Sequence, residues 1–133
     1  MPDQRCTIRK IRKHALDIFQ AGLAAVDPVE AILRHVKVSA DVLHLGGRRF
    51  TLSDFEHVFV AGAGKAGATM GQALEQLLGE RISDGVVVTK EGHGLPLKYM
   101  RLYEAGHPVP DKRGTDSSEN ILSLAHEAGK RDL

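Results

Sequence analysis

Tryptophan is absent from the 133 residues, aromatic residues make up only 5%, and there is one cysteine, Cys6. A lone thiol closes no internal disulfide and supplies no Cys-based metal site, so the chain reads as made for a reducing compartment, and a cytoplasmic location is expected. No apolar run approaches the roughly 20 residues that span a bilayer. The basic stretch from Arg5 to Lys13 leads into an amphipathic segment without a small-residue cleavage site, so the expectation is a soluble, unprocessed chain with no membrane partner. Net charge is lacking too: 18 Lys plus Arg against 17 Asp plus Glu leave +1. That gives no global drive toward nucleic acid, and no nucleic-acid partner is expected. Internal repeats, low-complexity tracts and long linkers are missing. What is present, 42% apolar and 26% charged residues, suits one core or part of one.

From Arg5 to Val26, residues Ile8, Ile11, Ala15, Ile18, Phe19, Leu23 and Val26 recur at helical spacing, which predicts an amphipathic helix docked on something apolar. Asp27, Pro28 and Glu30 occupy the N-cap, N1 and N3 positions of a second, short helix whose buried side is Val29, Ile32 and Leu33. Val42 to Leu45 and Arg48 to Leu52 flank Gly46-Gly47 and predict a β-hairpin. His57 to Ala61 is a nearly unbroken apolar run of strand length, as in a strand covered on both faces. A glycine turn follows, then a helix over Lys65 to Leu78 with Gly79 as its C-cap, then a second buried strand, Gly85 to Thr89. This is a βαβ unit. A third strand is predicted over Met100 to Glu104, its direction left open by a connection short for a helical crossover. Gly106 to Pro110 is a shaped loop, Gly114 or Thr115 to Ala128 a further helix, and Asp132-Leu133 the entrance to another strand. The fold class is therefore α/β, a Rossmann-like three-layer domain with a mainly parallel sheet, preceded by N-terminal helices and a small β-hairpin.

The first amides of a helix lack internal partners and carry the positive end of its dipole, so a strand-to-helix turn welcomes a phosphate or carboxylate. Gly62, Gly64 and Gly67 remove side chains that would keep an anion away, and Lys65 adds a full positive charge. Glycines at first, third and sixth place formally match the dinucleotide fingerprint. A nicotinamide site wants an acidic residue ending the second strand, whereas this strand ends in Thr89-Lys90 with Glu91 one step on. NAD fits poorly, and an NADP site using Lys90 stays open. A Walker A loop is excluded, because Gly64-Lys65 is followed by Ala66 and Gly62 is too close. The competing role for the glycines is close packing of helix on strand with Lys65 in water. His93 and His107 lie on loops just after predicted strands, the edge where open α/β sheets place ligands. Glu104 and Asp111 flank the second loop and suit a divalent ion bound with phosphate oxygens, although Asp111 is equally placed to cap the next helix. His14, His35, His44, His57 and His126 show no metal-ligand spacing and read as structural.

With Gly62-Ala63-Gly64-Lys65-Ala66, then Val87 through Gly94, then Glu104 through Asp111 in this order, the chain resembles the glycerate 2-kinase family. These are the large glycerate kinases whose C-terminal part is called the MOFRL domain, and members are often labelled hydroxypyruvate reductase. The resemblance implies ATP-dependent phosphorylation of D-glycerate to 2-phosphoglycerate, with a divalent cation, usually Mg2+. It also implies that Lys65 is an active-site residue. The amides around Gly64 to Gly67 (including Ala66), with Gly62, Lys90, His93, His107 and Asp111, are the residues expected to bind substrate or nucleotide phosphate. Metal ligands stay unassigned. Against the family pattern, the chain stops before the next strand and its Gly- and Ser-rich loop. It reads as an incomplete domain: residues 1–56 a helical and hairpin lead-in, 57–133 the βαβ core, the MOFRL domain absent. Such a fragment is expected to be inactive without the missing C-terminal region. Two other readings stay open: an NADP-dependent hydroxypyruvate reductase, and a non-catalytic sugar-phosphate-binding module.

Overall fold

The structure, a computed structural model, describes residues 4–133, the side chains of Gln4, Arg5 and Cys6 lying outside what is described. Two helices lead in, α1 (Gln4–Ala25) and α2 (Pro28–His35). Asp27 begins α2 as expected, its carboxylate accepting from the amides of Val29 at 2.9 Å and Glu30 at 3.0 Å, two donors that the helix itself leaves unpaired. Three short strands follow, β1 (Val36–Ser39), β2 (Val42–Leu45) and β3 (Arg48–Thr51), in one antiparallel sheet of order β1-β2-β3. Gly46 and Gly47 take φ of 55° and 82°, the left-handed pair that a two-residue hairpin demands. The hairpin was legible; β1, a four-residue strand continuing directly from a helix, was not.

The second sheet is parallel. It contains β4 (Phe59–Ala63), β5 (Asp84–Lys90) and β6 (Arg101–Ala105), in the order β4-β5-β6. Between β4 and β5 runs α3 (Gly67–Leu78), closed by Gly79 at φ 55°. The expected start of that helix at Lys65 moves to Gly67, because β4 itself continues two residues further than its apolar run and takes in Gly62 and Ala63. Val86 and Val87 on the central strand are 0% and 1% exposed, covered on both sides, which is why the sequence there is apolar without alternation. The β5 to β6 connection contains no helix, yet β6 pairs parallel to β5, with Val88 opposite Tyr103. The last helix, α4 (Lys112–Glu127), packs against β5 and β6.

After α4 the chain returns to the far edge of β4. Leu133 donates to the His57 carbonyl at 3.0 Å and accepts from the Phe59 amide at 2.8 Å, the alternation of a parallel pair. The expected strand entrance at Asp132-Leu133 is thus already hydrogen-bonded. It places the next strand position beside β4, opposite β5, so the direction of winding reverses at β4. In doubly wound sheets that reversal opens a crevice at the carboxyl ends of the strands.

One expectation needs correction. α1 is a helix, but Ile8, Ile11, Ile18, Phe19 and Leu23 on its apolar side are 53–74% exposed, and nothing among the described residues covers them. Periodicity reports that a helix has an apolar partner; it does not report where the partner is. No described helix is long and apolar enough to cross a membrane. Since Phe19 touches no core, Phe19→Gln should change unfolding free energy by no more than about 0.5 kcal/mol. Leu124→Ala, at a position 2% exposed, should cost roughly 3 kcal/mol. Urea denaturation of both variants checks the contrast.

Candidate functional site

The glycine turn after β4 is built by three separate constraints. Gly64 adopts φ 123°, a conformation closed to residues with a β-carbon. Its amide donates to the Val88 carbonyl at 2.9 Å, extending the β4–β5 ladder, and the Gly67 amide donates to the Gly64 carbonyl at 2.9 Å. A β-carbon on Gly67 would lie 3.1 Å from Val87 Cγ1 and 3.4 Å from the Val88 carbonyl, so this glycine lets helix approach strand. The packing role weighed for the glycines therefore holds for Gly67. The anion-binding amides expected around Gly64 to Gly67 are also fewer than the motif suggested, because those of Gly64 and Gly67 are committed within the fold. Among the described residues, the amides of Lys65 and Ala66 donate to no protein acceptor.

The ends of β4, β5 and β6 enclose a crevice of about 370 Å³. Gly64 and Lys65 come from the first turn, Thr89 and Lys90 from the end of β5, and Gly106 and His107 from the loop after β6. Residues from three separate motifs, far apart in sequence, thus meet at one mouth. Gly62 and Gly67 line a different, apolar cleft with Ile32, Met70 and Leu74. His93 is exposed and does not line the crevice, and neither do Ala66 and Asp111.

The carboxylates expected near a metal are occupied otherwise. Asp111 caps α4, accepting from the Gly114 amide at 3.2 Å, and is gripped by the Arg113 guanidinium at 2.7 Å. Arg113 reaches on to Glu91 at 2.8 Å. Glu104 accepts from the amides of Gly92 at 3.2 Å and Gly94 at 2.8 Å, holding the loop that carries His93. Hydrogen bonds from Arg113 hold the Asp111 and Glu91 carboxyls below the usual carboxylate range, and the two acids raise the Arg113 pKa in turn. A divalent ion bound by Glu104 and Asp111 would have to break these contacts.

Of the crevice residues that sequence reasoning did not name as candidates, Thr89 is the one with a polar side chain. It is 2% exposed. The only signal was a hydroxyl at the end of a valine run. Elsewhere, Glu56, His57 and Asp132 form a group with metal-ligating side chains within 4.8 Å of one another. Each is used internally, His57 Nδ1 lying 2.9 Å from Asp132 and Glu56 pairing with Arg131 at 2.9 Å. The 75 positions between His57 and Asp132 hid this group from any spacing argument.

A parallel sheet with a lysine-lined crevice at its carboxyl edge defines an α/β protein of Rossmann-like architecture with a cationic cleft. Within that class the chain belongs to the family described as Domain of unknown function (DUF4147), matched over residues 14–133. It is 37% identical over 123 residues to a glycerate 2-kinase of Pyrococcus horikoshii, covering 92% of this chain and 27% of that protein. A putative hydroxypyruvate reductase of Agrobacterium vitis is 40% identical over 74 residues, 56% of this chain and 19% of that one. The crystal structure of a glycerate kinase from Thermotoga maritima superposes with a TM-score of 0.71 at 29% identity, covering 93% of this chain and 27% of that one. The chain thus spans roughly a quarter of the length of these kinases.

The Arg113 cluster makes a pH prediction. A carboxyl depressed in the folded state contributes stability above its unfolded pKa, about 4, and loses that contribution as pH falls through the lower folded value. Arg113→Gln should therefore lower the unfolding midpoint most near neutral pH. The gap to wild type should close as pH falls through the lowered folded-state values of Asp111 and Glu91. Thermal unfolding between those limits measures it.

Proposed function

We propose that this chain carries the anion-binding part of a glycerate 2-kinase, an enzyme transferring the γ-phosphoryl group of ATP to the C2 hydroxyl of D-glycerate. The observation that carries the reading is Lys65 at the mouth of a crevice that also holds Lys90 and His107. Phosphoryl transfer asks little covalent chemistry of the protein; it asks for positioning and for positive charge around the transferred group. In the transfer, the hydroxyl oxygen bonds to the γ-phosphorus as the bond to the ADP oxygen breaks. A lysine fixed beside that phosphorus offsets the charge that develops. The names of the relatives support the same chemistry, and the lone cysteine supports a cytoplasmic setting.

The crevice suits phosphate oxygens but provides no magnesium ligand of its own, because the three nearby acids, Glu91, Glu104 and Asp111, are engaged by Arg113 or by loop amides. In this reading any Mg2+ arrives with ATP or is held by residues outside this region.

Lys90 motivates a second reading, an NADP-dependent hydroxypyruvate reductase in which its ammonium takes the cofactor's 2′-phosphate. Capture of Glu91 by Arg113 weakens the NAD version further, since no free acid remains at the end of β5 for ribose hydroxyls. The 133-residue chain alone is expected to turn over neither substrate pair. In a full-length enzyme containing this region, Lys65→Ala should lower glycerate phosphorylation about a hundredfold or more. Wild-type turnover in that variant would remove Lys65 from the site. NADPH oxidation by hydroxypyruvate without any glycerate phosphorylation would replace the kinase by the reductase.

A further inference from the structure

Thr89 is buried to 2% exposure yet lines the crevice, between Val88 and Lys90 and opposite Lys65. The one bond its hydroxyl donates runs to the Lys65 carbonyl at 3.5 Å. That is well beyond the 2.7–2.8 Å usual for a hydroxyl donor. Burying a hydroxyl without a good partner is unfavourable, and the packing around Thr89 would accept valine, whose shape is nearly the same. The three residues before it, Val86, Val87 and Val88, are valines. Thr89 is the hydroxyl-bearing residue of this run, and it lines the crevice between Val88 and Lys90, where its weakly held hydroxyl is available to a ligand as a methyl group would not be.

We propose that Thr89 Oγ1 donates a hydrogen bond to a phosphoryl oxygen bound in this crevice, as the neutral donor beside the two lysines. The inference rests on the anion-binding reading of Lys65 and goes beyond it by naming a second contact and the ligand class. The charge pattern favours a polyphosphate over a single carboxylate. Lys65 and Lys90 bring two positive charges to the crevice, and neither forms an ion pair with an acid among the described residues. One carboxylate would leave a charge uncompensated. A phosphate chain neutralises both and still has oxygens for a hydroxyl.

The test uses the 133-residue protein and inorganic tripolyphosphate, followed by amide chemical-shift titration at several salt concentrations. Thr89→Val should weaken binding about tenfold, the loss expected for one hydrogen bond to a charged acceptor, and Thr89→Ser should stay within about twofold of wild type. Salt dependence separates the roles. Lys65→Ala should flatten the fall of affinity with salt, whereas Thr89→Val should lower affinity at every salt concentration with the slope unchanged, because it removes no charge. The proposal is overturned if Thr89→Val binds like wild type while Lys65→Ala does not, a result that leaves the lysine reading standing. Unchanged binding in both variants overturns the two together. If the free Thr89→Val protein shows displaced amide resonances from Gly64 to Gly67, the hydroxyl is a brace for the turn, and that also overturns the proposal.

Discussion

The close approach of α3 to the β4–β5 ladder is the constraint on which the rest of the molecule depends. At Gly67 the helix runs against Val87 and the Val88 carbonyl with no room for a β-carbon to spare. One residue group earlier, the Gly64 amide takes that same Val88 carbonyl as its acceptor. These contacts pull the turn over the end of β5. Lys65 and Thr89, 24 positions apart, come within reach of each other as a result. Without the glycine contacts the helix would stand off the sheet and the lysine would sit on a separate loop. Close packing at Gly67 and Gly64 thus removes two amides from service and delivers Lys65 to the crevice in exchange, so the packing of the motif and its proposed ligand role are compatible.

The loops that complete the crevice are held by electrostatics rather than by burial. Glu104 pins the backbone of Gly92 and Gly94, while Arg113 joins Glu91 to Asp111, which in turn caps α4. Every nearby acid is spent on holding loops in place, and the mouth is left with lysines and a histidine. Such a division gives the crevice its sign. Because Arg113 and its two partners are partly or largely exposed, the arrangement is also salt-sensitive, as surface ion pairs are.

The βαβ core was readable because three independent signals agree there: a run of β-branched residues for a strand covered on both faces, glycines where the chain turns, and a helical apolar stripe ending at Gly79. The α2 cap was readable for the same reason, with Asp27, Pro28 and Glu30 each in a position of known preference. The strand β1 escaped because four residues between a helix and a turn provide only Val36 and Val38 as alternation. The direction of β6 escaped because parallel pairing normally announces itself through a crossover helix, and the stretch from Glu91 to Met100 contains none. At the site, charged residues and glycines announced themselves, but their bookkeeping did not: whether Asp111 is free or spent depends on Arg113, which lies two positions away and also reaches Glu91 on another loop.

Two apolar surfaces of the described residues are bare, one edge of β4 and one side of α1. Leu133 pairs with His57 and Phe59 only at the start of β4, while Ala61 and Ala63 farther along that strand are exposed. A parallel sheet with helices on both faces tolerates an open position only at its ends, yet β4 is where the winding reverses and where the crevice opens. The apolar side of α1 is exposed in the same way. The crevice is lined from the ends of three strands, while β4, an edge strand of the β4-β5-β6 sheet, is paired on its other side only at its first residues. In the proposed reading, anion affinity rests on Lys65, Lys90 and Thr89, which meet at the ends of β4 and β5. Orienting a second substrate for in-line transfer requires groups on the opposite side as well. On the proposed function, binding and turnover would separate physically: the first would rest on the residues that meet at the ends of β4, β5 and β6, and the second on groups that face them across the crevice.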